Sequence, residues 1–174
     1  MQLLKGQLIV LRALEPEDLE TLYAWENNSN VWHLSNTITP YSKHLLRDYI
    51  YNSQYDIFTA KQLRLMICKD NLPVGCIDLY DFDPYHLRAG VGILIADEQH
   101  RGQGLAKDAL QVLCHYAFKM LQLHQLYCHI NADNLPSIAL FTAVGFKETG
   151  NKKQWNKVPA GFVDELIFQR IAES

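Results

Sequence analysis

The chain has 174 residues, 48% of them hydrophobic, and a net charge of -3 at neutral pH. That length supports one domain over residues 1–174 with a core that buries about 70% of the unfolded surface. The charge argues against a nucleic-acid partner, because phosphate backbones are held by clustered Lys and Arg and the densest basic pair here is Lys152-Lys153. Apolar runs fall well short of the ~20 residues of a membrane span and residues 1–14 lack the layout of a signal peptide, so no membrane partner and a cytoplasmic location are expected.

Residues 7–13 alternate apolar and polar as a strand, and Glu15-Pro16-Glu17-Asp18 opens a helix with an acid-rich first turn and proline near its first position. Leu19, Leu22, Tyr23 and Glu26 fall on one face of it. A polar stretch over 27–39 leads to a second predicted helix over 42–55. Strands follow at 63–69 and 74–82 around an Asp70-Asn71 turn, then at 88–96 after Asp83-Pro84-Tyr85-His86, which makes an antiparallel meander. The helix predicted over 104–121 carries Leu105, Ala109, Val112, Leu113, Tyr116, Ala117 and Met120 at helical spacing. A strand at 126–130, a helix at 136–144 stopped by Gly145 and a last strand at 162–170 complete an α/β (α+β) fold, a mixed sheet with helices on both faces.

Cys68, Cys76, Cys114 and Cys128 lie inside apolar patterns without C-x-x-C pairing and read as buried, reduced thiols. His33, His44, His86, His100, His115, His124 and His129 are scattered without ligand spacing, so no metal is expected. Trp25, Trp32 and Trp155 read as core or pocket-wall aromatics.

Gln99-His100-Arg101-Gly102-Gln103-Gly104-Leu105-Ala106 follows a strand and opens a helix. Two glycines one residue apart allow a tight turn and close approach of backbone to a ligand. The first N–H groups of the helix have no partner within it, and the helix dipole adds positive charge, so this is a place for a pyrophosphate.

With these features the chain resembles the GNAT superfamily of acyl-CoA-dependent N-acetyltransferases. Gln99, Gly102 and Gly104 match the family's Gln/Arg-x-x-Gly-x-Gly/Ala loop, and the stretch from Asn134-Leu135-Pro136-Ser137 to Val144-Gly145-Phe146 is similar to its N-x-x-S/A…GF segment. The resemblance implies a mostly antiparallel sheet splayed at the cofactor site and acetyl-CoA as cofactor. Its pantetheine would lie along Ile93, Leu94 and Ile95. Its pyrophosphate would meet the backbone of Arg101, Gly102, Gln103, Gly104, Leu105 and Ala106, with Asn134, Ser137 and Phe141 on the next helix also at the cofactor. The opening Leu11-Arg12-Ala13-Leu14-Glu15-Pro16-Glu17-Asp18-Leu19 and the stretch Gly75-Cys76-Ile77-Asp78-Leu79-Tyr80-Asp81 resemble the spermidine and ribosomal-protein N-terminal acetyltransferases. A primary amine is the implied acceptor: a polyamine such as spermidine or a protein N-terminus, with an amino-sugar also left open. A homo-oligomer is left open.

An alkyl amine titrates near 10.4 and arrives about three units too protonated, so a base or water chain has roughly 4 kcal/mol to supply. Strand 74–82 offers candidates. By the two-residue period Asp78, Tyr80 and Phe82 share one face, and Asp81 and Asp83 the other unless a bulge intervenes. Asp78, Tyr80 and Asp81 are the candidate catalytic residues, and Asn28, Trp32, Asp78 and Asp81 the candidate substrate contacts. Three departures from the family pattern stand out. Phe141 replaces a tyrosine acid, Gly90 replaces a glutamate in Ala89-Gly90-Val91-Gly92, and Ile38-Thr39 replaces an acidic pair common in spermidine enzymes. The first two also motivate a reading of a different class, a catalytically idle acyl-CoA-binding or sensing module.

Overall fold

The computed structural model describes residues 2–30, 32 and 37–173. Among these residues seven strands form one sheet in the order β1-β2-β3-β4-β5-β7-β6. They are β1 Val10–Ala13, β2 Leu63–Lys69, β3 Leu72–Asp83, β4 Arg88–Ile95, β5 Gln125–Asn131, β6 Lys147–Val158 and β7 Gly161–Ile171. All neighbours are antiparallel except β4 and β5. The α-helices are α1 Leu19–Glu26, α2 Lys43–Asn52, the single turn α3 Ile57–Ala60, α4 Leu105–Lys119 and α5 Leu135–Ala143.

Alternation along the strands sorts the core into two layers. Leu65, Ile67, Ile77, Leu79, Val91, Cys128 and Ile130 pack with Leu105, Ala109, Leu110 and Leu113 of α4. Met66, Cys68 and Cys76 point the other way, onto Leu22 of α1 and Ile50 of α2. Helices therefore cover both faces, as expected. The buried stripe of α4 recurs every three or four residues, and each fully buried leucine contributes about 2 kcal/mol. Met120, expected on that stripe, is exposed because the helix stops at Lys119 and Met120 is its C-cap. At the start of α1 the buried Asp18 accepts from both terminal nitrogens of Arg12 at 2.7 Å and from the Glu15 N–H at 2.9 Å, which ties β1 to the helix. Ser42 caps α2 by accepting from the Leu45 N–H.

Among the strands and α-helices described, two lie outside the sequence reading. The turn α3 is too short for a periodic signal. Strand β6 is polar along nearly its whole length, an edge strand paired with β7 alone through two register shifts. Charged residues on such an edge deter pairing with other chains, and they also hide the strand from a hydrophobic pattern. All four cysteines are buried and free. Trp25 packs against the α1/α2 layer. Trp155 does not belong to a core or pocket wall: it stands 58% exposed on β6 with the Lys152 ammonium 4.6 Å from its ring centroid. His33 lies outside the described residues. No helix among them is long and apolar enough to cross a membrane.

Candidate active site

Strands β4 and β5 are paired at only three positions, Arg88↔Gln125, Ala89↔Leu126 and Gly90↔Tyr127. Beyond Gly90, β4 stays on β3 as far as Gly75↔Ile95, while β5 stays on β7 as far as Asn131↔Glu165. The two strands therefore part into a wedge, with Ile93, Leu94 and Ile95 on its β4 wall, and beyond Gly90 the β5 side of β4 has no strand partner among the described residues.

At the wide end of the wedge the chain turns into α4. Arg101 donates from Nε to the Ile95 carbonyl at 3.2 Å, and Gln103 is held by Lys69 Nζ at 2.8 Å and by its own bond to the Gln99 carbonyl at 2.7 Å. Gly102 and Gly104 have φ of +73° and +81°. A Cβ on Gly102 would meet nothing within 4 Å, and one on Gly104 would meet only Leu8 Cδ1 at 3.6 Å. Backbone conformation thus demands these glycines, and the space before them is open. The first helical bond runs from the Asp108 N–H to the Gly104 carbonyl at 3.0 Å, so the N–H groups of Leu105, Ala106 and Lys107 have no helical acceptor. These donors at the positive end of a 15-residue helix suit a pyrophosphate. Asn134 caps α5 by accepting from the Ser137 N–H at 3.3 Å, and its amide nitrogen remains a donor. Phe141 is buried edge-on against Phe146, ring centroids 5.0 Å apart.

One face of the sheet beside the wedge carries the polar chemistry. The Tyr80 ring lies over Gly90, its cross-strand partner, so any side chain at position 90 would overlap that ring. The departure from the family's glutamate is therefore a packing consequence of Tyr80. Gly92, the next β4 residue on this face, is open, with Asp78 Oδ2 3.9 Å from where a Cβ would stand. Tyr80 meets Tyr127 edge-on at 6.0 Å, and Tyr127 meets His129 at 5.6 Å. Burial above all, with Tyr127 beside it, pushes the Tyr80 pKa up and keeps its hydroxyl protonated.

A bulge between Tyr80 and Asp83, with Asp81 at φ +48°, breaks the strand's alternation. Phe82 consequently joins the α4-side core and does not share a face with Asp78 and Tyr80. Asp81 is brought beside the Tyr127 hydroxyl, where burial and that carboxylate together push the tyrosine pKa up. Asp83 is no wall of the site: it caps the following turn, accepting from the His86 and Tyr85 N–H groups at 2.9 and 3.1 Å. Those bonds, chiefly that from His86, hold its carboxyl below the usual range.

Asp78, one of the candidate catalytic residues, is committed to Arg64. Arg64 stands opposite it in register, with Nε 2.6 Å from Oδ1 and a terminal nitrogen 3.1 Å from Oδ2. The other terminal nitrogen donates to Glu26 at 2.7 Å, and the guanidinium lies over the Tyr49 ring at 5.3 Å. Taking up a proton at Asp78 would break this bidentate pair. Asn28 and Trp32 sit just past α1: Asn28 accepts from the Asn30 N–H at 3.1 Å, and Trp32 Nε1 donates to the Glu26 carbonyl at 2.7 Å. The sequence reading did not single out Arg64. The one signal it left is a cation inside an otherwise apolar strand, where a charge needs a partner.

A sheet that parts between two parallel strands, beside a glycine turn and an open helix N-terminus, offers an extended cleft that ends on free N–H donors. The chain belongs to the GNAT acetyltransferase family, whose acetyltransferase (GNAT) domain pattern matches residues 9–147, and acetyl-CoA is the family's cofactor. It is 29% identical over 146 residues to the spermidine N(1)-acetyltransferase of Vibrio cholerae, covering 82% of this chain and 81% of that protein. To the ribosomal-protein-serine acetyltransferase of Escherichia coli it is 29% identical over 109 residues, 63% of this chain and 60% of that one. The crystal structure of the Vibrio cholerae spermidine N-acetyltransferase in complex with CoA and spermine has the same fold, with a TM-score of 0.85 at 24% identity over 95% of this chain and 96% of that chain.

Proposed function

We propose that residues 1–174 form one cytoplasmic N-acetyltransferase domain that moves an acetyl group from acetyl-CoA to a primary amine by direct attack in a ternary complex. The wedge between β4 and β5, opening on the turn at Gly102 and Gly104, carries this reading. When bound, acetyl-CoA supplies the acetyl group as an activated thioester. The N–H groups of residues 101–106 would hold the pyrophosphate, the β4 edge at Ile93, Leu94 and Ile95 would pair with the pantetheine as an added strand, and Asn134 and Ser137 would flank it. Phe141 provides an apolar wall and no proton. That absence is tolerable, since releasing a thiol of pKa near 8.5 as thiolate at pH 7 forfeits only about 2 kcal/mol. Tyr80, kept protonated by burial, is the hydroxyl donor on this face.

The buried thiols support direct attack. Burial pushes Cys76 up to about 12 and Cys114 up to about 11, so neither is a thiolate that would take the acetyl group first. Asp78 and Glu26 set two carboxylates against the one guanidinium they share, Arg64, an excess of negative charge that suits an ammonium. Spermidine and a peptide N-terminus are the two acceptor classes this favours. The Vibrio cholerae spermidine N-acetyltransferase has been solved as a dodecamer, and a homo-oligomer is part of the reading.

The test is thiol release from acetyl-CoA with spermidine, spermine, a serine-terminated peptide and glucosamine, each product weighed by mass spectrometry. One amine is expected to gain an acetyl group in step with thiol released. Tight acetyl-CoA binding with no release by any amine would support an idle binding module instead.

A further inference from the structure

Outside the groups considered so far, the same face carries a polar cluster where β5, β6 and β7 meet. Its centre is Glu165 on β7, only 8% exposed. Lys152 of β6 donates to its Oε1 at 2.6 Å, and Asn156 of β6 donates to its Oε2 at 2.9 Å. The same Asn156 amide also reaches Asn131 of β5 at 2.7 Å. Burial alone would raise the Glu165 carboxyl, but Lys152 and Asn156 outweigh it and hold the pKa below its ordinary value, so the group is an anion at neutral pH.

His129 of β5 faces this anion with Nδ1 3.5 Å from Glu165 Oε1, and its side chain is one-third exposed. Its place along the strand is informative. Tyr127 stands at the last rung that joins β5 to β4, so His129, two residues on, is the first side chain of that face beyond the parting of the strands.

We propose that His129 is the general base of the acetyl transfer and that Glu165 is its positioning residue. The proposal rests on the amine-acetyltransferase reading above. The Glu165 carboxylate, 3.5 Å from Nδ1, favours the neutral tautomer with its proton on Nδ1, which leaves the Nε2 lone pair free to take a proton. The ammonium N–H bond of the acceptor breaks and its proton passes to Nε2, directly or through one water. The nitrogen lone pair so freed forms the C–N bond to the thioester carbonyl carbon, the C–S bond breaks, and the second nitrogen proton leaves on the thiol sulfur. The exposed side of His129 then returns the first proton to solvent. The groups facing His129 are Tyr127 and Asn131 on its own strand and Glu165 on β7. Lys152 and Asn156 on β6 act through Glu165, and Tyr80 and Asp81 on β3 act through Tyr127. Among the described residues, Glu165 is the group placed to orient Nδ1.

Three measurements test this. The first is kcat/KM against pH for wild type, His129→Gln and Glu165→Gln, with the best amine of the panel above. His129→Gln is expected to lose about a hundredfold and to lose the single acid-side ionisation, leaving the slope of the amine's own titration, while Glu165→Gln loses about tenfold. The second is calorimetry with acetyl-CoA, where both variants are expected to bind as wild type. The third is 15N NMR of the histidines at alkaline pH, with the His129 signal assigned by its loss in His129→Gln. The neutral imidazole is expected as the Nδ1–H tautomer in wild type and as a mixture in Glu165→Gln. Wild-type turnover and acid limb surviving in His129→Gln, or an Nε2–H tautomer in wild type, would overturn the proposal and leave the acetyltransferase reading standing. Acetyl-CoA binding without turnover of any amine by wild type would overturn both.

Discussion

Gly104→Val is expected to reduce acetyl-CoA affinity at least about a hundredfold while the protein stays folded. Position 104 has φ +81°, a left-handed conformation that costs a non-glycine residue about 1–2 kcal/mol and a β-branched one more. Among the described residues the new Cβ meets Leu8 Cδ1 alone, at 3.6 Å, an ordinary contact, so the core beneath at Leu105 and Ala109 is not displaced. The turn relaxes instead, and the N–H groups aimed at the pyrophosphate swing away. Hydrogen bonds to a charged group contribute roughly 1.5–3 kcal/mol each, so losing two accounts for the drop. Calorimetry on the variant, with circular dichroism to show that it is folded, checks this. Unchanged affinity would remove the turn from the cofactor site.

Asp78→Asn is expected to act through Arg64. It leaves a guanidinium that is 18% exposed facing an amide with half the acceptor capacity, and removing one partner of such a pair costs about 3 kcal/mol. A fall in melting temperature is therefore expected together with a ten- to hundredfold loss in kcat/KM and little change in acetyl-CoA affinity. The double variant Arg64→Met/Asp78→Asn should recover part of the stability, because it also removes the half-buried cation that Glu26 alone would be left to pair. A thousandfold loss of activity at unchanged melting temperature would mean that Asp78 serves as a free base and that its pairing with Arg64 is incidental.

The elements with strong periodicity were legible. The meander of β2, β3 and β4 and the amphipathic α4 follow from alternation, turn residues and helical spacing, and the tight turn before α4 falls where Gly102 and Gly104 set it. What escaped did so for local physical reasons. Counting back from the Asp70-Asn71 turn sets Arg64 opposite Ile77, but a bulge between Ile67 and Cys68 moves it to Asp78, and an ion pair replaces a free carboxylate. A second bulge at Asp81 turns Phe82 into the opposite layer. Gly90 stands where relatives carry a glutamate, and the Tyr80 ring from the neighbouring strand fills the space a side chain there would take. His129 and Glu165 lie far apart in the chain and meet only because β5 and β7 are neighbours in the sheet, while β6, which supplies Lys152 and Asn156, is an edge strand with no apolar signature.

The central claim is that acetyl-CoA lies in the wedge between β4 and β5 with its pyrophosphate on the turn into α4. Hydrogen–deuterium exchange on the full chain, with and without saturating acetyl-CoA, measures this most directly. Slower exchange is expected at the amides of residues 101–107 and along 91–95, with α1 and β1 unchanged. Protection confined to other segments, or none at saturation, would contradict the placement of the cofactor and with it the mechanism built on that wedge.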